Sequence, residues 1–393
     1  MTQDWITTPL TEGLLHGAVE LEHTAHGVLP HRLPAWARAQ SDDPQLAMVE
    51  AQPSGVRLAF RTQATVIELQ TLRTRRTYAG MPPRPDGVYD LVVDGRLAAQ
   101  LSVDGGHVLT IDMAAGTAIR DTGAPGVMRF ADLPEGGKDI VLWLPHNEVT
   151  ELLDLRSNAP LEPAAPDRRR RWVHHGSSIS HGSDASSPTS IWPVVAASLG
   201  DVDLLNLGFG GSALLDPFVA RTIGEQPADL ISLKLGINLV NLDLMRLRAF
   251  VPAVHGFLDT IRDRHDATPL LLVSPILCPM HEDTPGPTMP DFAALANGQL
   301  RFVAAGDPAD IANGKLSLQL IRDTLAGIVE QRRATDPNLH YLDGRLLYGQ
   351  ADFDRLPLPD GLHPDTATHR LIGERFALHA FADGPFKHRV FAS

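Results

Sequence analysis

The chain reads as an α/β protein in which a doubly wound parallel sheet follows a β-rich N-terminal domain. Three observations carry that reading. From residue 172 onward, short apolar runs alternate with helical periods. Before residue 165 the runs are strand-length and are punctuated by Asp-Gly and Gly-Gly steps. Between the two lies a small, Pro-rich stretch, 157–166, that fits neither period and reads as a linker. The expected domains are therefore 1–165 and 166–393.

In the N-terminal domain, 47–50, 56–60, 64–69, 88–93, 107–111 and 139–144 read as strands. Turn signals separate them at Pro53-Ser54-Gly55, Asp94-Gly95, Asp104-Gly105-Gly106 and Glu135-Gly136-Gly137. Glycine takes positive φ without steric cost, which suits tight hairpins. Short strands at this spacing predict a β-sandwich of jelly-roll type.

The run Arg168–Arg171 reads as a solvated strand entry or a contact between domains. Beyond it, 172–175, 202–206, 230–235, 270–273 and 340–342 read as five strands. Their near-continuous apolar character is what a parallel sheet covered on both faces requires. Helices are expected at 189–199 and about 371–381. Val254, Phe257, Leu258 and Ile261 recur at one helical face, as do Leu318, Ile321, Leu325 and Ile328. In such sheets ligands bind beyond the carboxyl ends of the strands. The Pro-rich segment 275–313 is long for a connection and reads as a lid or substrate-shaping loop.

Composition excludes several classes. With 47 acidic against 34 basic residues the net charge is −13, which argues against a nucleic-acid footprint. The single cysteine, Cys278, cannot form an internal disulfide and fits a reducing compartment. The segment from Met1 to Trp5 shows no leader pattern, and no run approaches the roughly 20 apolar residues of a membrane span. A cytoplasmic protein without membrane association is expected.

Four islands carry chemistry. Gly176-Ser177-Ser178-Ile179 follows the first expected strand and presents a hydroxyl where a backbone N–H is also left to donate. Ser178 is the candidate nucleophile, with Ser177 as its rival; a Ser-rich loop is the bland alternative. In Asp360-Gly361-Leu362-His363, His363 can act as base and Asp360 can hold its Nδ1–H, although an Asp-Gly turn explains the same residues. Gly211 and Asn238, in Gly208-Phe209-Gly210-Gly211 and Gly236-Ile237-Asn238, can donate to an oxyanion; a phosphate-binding or merely flexible glycine turn and a helix cap are the competing explanations. Asp343 follows the fifth strand, but the loop shared with His363 favours Asp360 as the acid.

Together the islands resemble the four blocks of the SGNH (GDSL-type) hydrolase superfamily, over roughly 172–385. The resemblance implies a flavodoxin-like α/β/α domain and a Ser178–His363–Asp360 triad. It also implies an oxyanion hole built from Ser178, Gly211 and Asn238. Two positions depart from the family pattern: Ser177 stands where aspartate is usual, and Leu239 where aspartate often follows the asparagine. The two-domain layout is similar to actinobacterial esterases and to an acyltransferase that tailors a tetracycline-type polyketide. By the same resemblance the N-terminal domain is carbohydrate-binding-like or accessory.

The expected activity is a serine esterase acting on small acyl esters of sugars or other polar natural products. The alternative is an acyltransferase that passes the acyl group to a natural-product hydroxyl. His181, Phe209 and Trp192 are candidate pocket residues, although packing explains the two aromatics equally well. His174 and His175 read as satisfied strand histidines, and Lys234 as pointing to a surface or a carboxylate. The expected partner is a small-molecule ester. The serine route requires no cofactor, and the histidines lack an established metal-ligand spacing.

Overall fold

The computed structural model describes residues 4–81, 83–112 and 115–387; Met1–Gln3, part of the segment read for a leader, lie outside them. The chain forms two compact units. One comprises 1–38, 47–168 and 186–189; the other comprises 39–46, 169–185 and 190–393.

The first unit is a β-sandwich. Among the described residues, one sheet has eight strands, centred on Ile67–Tyr78 and Val149–Ser157, and the other has six, centred on Arg57–Thr62 and Lys138–Trp143. Pairings are antiparallel except Ile67–Tyr78 with His107–Asp112. Alternation supplies the core. Leu58 and Phe60 from one sheet meet Ile67, Leu69, Leu152 and Leu155 from the other, and all are buried. The spacing from Leu152 to Leu155 breaks the period of two because a β-bulge between Leu152 and Asp154 inserts one residue and moves the inward set. The expected linker 157–166 contributes a further strand, Leu161–Pro163, paired with Arg57–Thr62.

The stretch 47–50, read above as a strand, is helical: Pro44–Glu50 forms one helix. Pro44 suits a first turn, and the Asp43 carboxylate accepts from the N–H groups of Gln45 (3.0 Å) and Leu46 (3.3 Å). Leu46, Val49 and Glu50 are buried at i, i+3 and i+4. Start signals and helical burial override the apolar run.

The second unit carries a parallel sheet. Its strands are β1 (Arg170–Gly176), β2 (Val202–Gly208), β3 (Leu230–Lys234), β4 (Leu270–Val273) and β5 (Leu339–Leu342), in the order β2-β1-β3-β4-β5. This is the flavodoxin-like order, and the direction in which successive strands are added reverses between β1 and β3. Every residue of β3 and β4 is buried, as a sheet covered on both faces demands. Helix Trp192–Gly200 packs on Thr366–Phe376, and Pro217–Glu225 packs on Leu247–Arg262, which in turn meets Leu318–Arg332. The two expected helical faces, 254–261 and 318–328, are buried at all eight named positions.

No helix among the described residues is long and apolar enough to cross a membrane.

Candidate active site

The switch point between β1 and β3 decides what meets. β1 ends at Gly176, and helix Ser178–His181 starts two residues later, with Ser177 in extended conformation before it. That helix lasts a single turn. Gly182 closes it at φ 110, and its N–H returns to the carbonyl of Ser178 at 2.9 Å. The turn packs tightly on β1 and β2: a Cβ at Gly176 would meet Ser180 Oγ at 2.3 Å, and one at Gly208 would meet the His181 nitrogen at 2.5 Å. Glycine at both positions lets Ser178 ride directly on the strand ends.

A buried polar chain lies beneath. His174 holds Ser232 Oγ through Nδ1 (2.7 Å) and Ser180 Oγ through Nε2 (2.8 Å), and Trp172 Nε1 donates to Ser232 (2.8 Å). Burial, with His175 and Lys234 nearby, holds the His174 imidazole well below its ordinary value, so it stays neutral. His175 Nδ1 meets the Leu207 carbonyl at 2.7 Å. Both histidines are buried on the strand, and His174, with both ring nitrogens bonded, is the satisfied residue expected.

The loop after β5 supplies the base. His363 Nε2 stands 3.1 Å from Ser178 Oγ, and His363 Nδ1 stands 2.7 Å from Asp360 Oδ2. Asp360 Oδ1 accepts the N–H groups of Leu362 (2.8 Å) and His363 (2.7 Å), so acid and base are locked on one short turn. Gly361 makes that turn possible at φ +84. Burial pushes the Asp360 carboxyl upward, but the hydrogen bond and charge of His363 with the two backbone donors outweigh it, and the group lies below its ordinary value. Asp343 is engaged elsewhere, paired with Arg345 at 2.7 Å.

Asn238 sits in the first turn after β3, behind Gly236 at φ 125. Its Oδ1 accepts from the Ala213 N–H at 3.1 Å, which leaves the Nδ2 side of the amide to donate. Gly211, at φ +76, lies in the turn after β2, where the Phe209 N–H reaches back to the Gly176 carbonyl at 2.8 Å. The ends of β1, β2 and β3 thus bring Ser178, Gly211 and Asn238 to one edge of the sheet.

The excursion 275–313 leans on the base. Phe302 N–H donates to the Asp360 carbonyl at 2.8 Å, and its ring meets the His363 imidazole edge-on at 6.1 Å. Cys278 Sγ reaches the Gly361 carbonyl at 3.5 Å. Buried Arg322 secures the start of the excursion through the carbonyls of Pro275 (3.0 Å) and Ile276 (3.1 Å) and the carboxylate of Glu282 (2.6 Å).

One expectation needs correction, that for Lys234, and the three candidate pocket residues are all buried. Trp192 is fully buried against Trp172, His174 and Phe376, and Phe209 is buried beside His175, so both pack in the interior. His181 is buried in the one-turn helix. Lys234 faces no surface: it is 2 % exposed, and burial, then the charge of Arg322, lower its ammonium to about 8 against an opposing effect of Cys278. Sequence reasoning also missed Asp184, whose carboxylate lies near the dyad. Asp184, Asp360 and His363 offer ligand atoms within 4.8 Å of one another, the kind of cluster that can hold a cation. A cation there would compete with the Asp360–His363 hydrogen bond.

Two families match the chain: the SsfX3 N-terminal domain over residues 14–150, and the GDSL-like lipase/acylhydrolase family over 169–279. With the sheet order and the two units, these matches make the chain a two-domain member of the SGNH (GDSL-type) hydrolase superfamily, an esterase or acyltransferase. Among solved structures it is similar to the salicylyl-acyltransferase SsfX3 from a tetracycline biosynthetic pathway, with 27% identity, TM-score 0.76 and 95% of both chains covered. It is also similar to a protein from Bacteroides ovatus assigned as GDSL-lipase-like (18% identity, TM-score 0.68, 95% of this chain and 96% of that one). A family two carbohydrate esterase from Clostridium thermocellum shares the fold at 16% identity and TM-score 0.54, over 82% of this chain and 91% of that one. No curated protein matches in sequence.

Proposed function

We propose that the chain is a serine esterase acting through an acyl-enzyme on small acyl esters of sugars or other polar natural products. The observation that carries the reading is the continuous contact from Asp360 through His363 to Ser178. A serine hydroxyl needs an adjacent base, and the base needs its tautomer fixed. In the forward step Ser178 Oγ attacks the ester carbonyl while His363 Nε2 takes its proton. The carbonyl oxygen becomes an oxyanion facing the N–H groups of Ser178 and Gly211 and the amide of Asn238. As the tetrahedral adduct collapses, the C–O bond to the alcohol breaks and His363 returns the proton to the leaving oxygen. Water then attacks the acyl-enzyme, His363 again acting as base, and the acid and free Ser178 are released.

A second reading is acyl transfer, in which a hydroxyl of a natural product replaces water in the last step. Similarity to the salicylyl-acyltransferase along nearly the whole chain favours it. The two readings share every residue up to deacylation, so partition of the acyl-enzyme distinguishes them. Incubating the enzyme with p-nitrophenyl acetate and a panel of sugar and phenolic alcohols, with products followed by mass spectrometry, tests this. Acetate as the dominant product supports the esterase. Ester products that outpace acetate at millimolar alcohol support the transferase, and failure to turn over any activated ester contradicts both.

A further inference from the structure

We propose that Gln45 is a positioning residue for the oxyanion hole, holding the Gly210–Gly211 peptide so that the Gly211 N–H faces the reacting carbonyl; this rests on the serine reading above. Gln45 belongs to the segment 39–46, which precedes the catalytic sequence blocks yet forms part of the catalytic unit. Its Nε2 donates to the Gly210 carbonyl at 2.7 Å. In a trans peptide the carbonyl and the next N–H point in opposite directions. Fixing the Gly210 oxygen on the Gln45 side therefore fixes the Gly211 N–H on the other.

The need for such an anchor follows from the sequence. Gly210 and Gly211 are consecutive glycines, and Gly211 sits at φ +76, a region that glycine enters and leaves freely. Without a restraint this peptide can flip at little cost and aim a carbonyl, instead of an N–H, at the developing negative charge. The side-chain donor of the oxyanion hole is restrained in an equivalent way: Asn238 Oδ1 is held by the Ala213 N–H at 3.1 Å. Gln45 does more than hydrogen-bond. A Cβ added at Gly211 would meet Gln45 Nε2 at 3.4 Å and Cγ at 3.6 Å, so the side chain lies along the turn it restrains. Gln45 is itself held, because its own N–H donates to Asp43 at 3.0 Å. It touches no reacting atom; it acts through Gly211.

The test compares Gln45→Met, which keeps length and volume without a donor, and Gln45→Glu, which keeps the outline but carries an acceptor when ionised. Active sites are titrated with a fluorophosphonate so that rates refer to folded enzyme, and Ser178→Ala is run alongside. The expected result is a fall in kcat of about 10- to 100-fold with KM within about twofold, since one oxyanion donor is misdirected. The affinity for an oxyanion-mimicking boronic acid should fall by the same factor, whereas affinity for the neutral alcohol product should not. If both variants keep kcat and boronate affinity within twofold per titrated site, the positioning role is wrong while the serine reading stands. The positioning role is equally wrong if the loss vanishes on normalising to active sites, which is what a purely structural role gives. Activity retained by Ser178→Ala would instead overturn the serine reading on which the inference rests.

Discussion

His363 Nε2 lies 3.1 Å from Ser178 Oγ, although 185 positions of sequence separate the two residues. The sheet order brings them together: the nucleophile leaves the end of β1, and the base returns on the loop after β5. If that contact makes a nucleophile of Ser178, Ser178→Ala should lower kcat/KM on p-nitrophenyl acetate by several decades. Ser177→Ala should stay within a few-fold. The Ser177 Oγ is buried with no hydrogen-bond partner among the described residues, so its removal costs no such bond there. Equal losses in the two variants, by steady-state kinetics, would undo the assignment.

Asp360 and Asn238 should both fail in kcat. Asp360→Asn keeps the shape but loses the negative acceptor for Nδ1–H, and kcat should fall by roughly 10²- to 10⁴-fold. Asn238→Ala removes one donor and should cost about 10²- to 10³-fold in kcat with little change in KM. A change confined to KM in either variant would mean uniform binding had been lost and not transition-state stabilisation.

Asp216 provides a stability test outside the triad. Burial first, and the charge of Asp43 second, raise its carboxyl from 3.8 to about 6. The folded state therefore holds a proton that the unfolded chain has already released, and stability falls as pH rises through that interval. Asp216 makes no side-chain cap to the helix it precedes, Pro217–Glu225, so Asp216→Asn loses no helix cap. The substitution should stabilise the protein at pH 8 by on the order of 1 kcal/mol, allowing for solvent screening at a partly exposed group, and have no such effect at pH 3.5. Denaturant midpoints at the two pH values measure this, and a gain that is equal or larger at pH 3.5 would contradict it.

Cys278 should be inert. It is 3 % exposed, and burial, with the charges of Glu282 and Asp360, pushes its thiol up to about 12. Reactivity belongs to the thiolate. Iodoacetamide at pH 8 should leave the native protein unlabelled over hours and label it within minutes in guanidinium. Rapid native labelling would show that the start of the 275–313 excursion opens readily.

Much of the catalytic unit was legible in the sequence because each of its signals is local. Continuous apolar runs marked the strands, a 3.6-residue period marked 254–261 and 318–328, and the Asp360–His363 turn carried acid and base within four residues. What escaped depends on tertiary placement. Trp192 has the composition of a pocket wall, and only the packing of Phe376 and Trp172 shows it to be core. The helix Pro44–Glu50 was obscured by Ala47, Met48 and Val49, although Asp43 and Pro44 were available start signals. Gln45, Asp184 and Phe302 have no motif; they matter through what the fold sets beside them. In the sandwich, the bulge at Leu152 broke the alternation that would have marked Val149–Ser157 as a strand.

Both proposed reactions pass through covalent acyl chemistry at one hydroxyl. Its most direct measurement is peptide mass spectrometry of enzyme quenched in acid within milliseconds of mixing with p-nitrophenyl acetate. An acetyl increment is expected on the peptide containing Ser178, lost over time with a rate equal to deacylation and absent from the Ser178→Ala variant. Turnover with no acyl increment at any quench time, or an increment on a different residue, would contradict it.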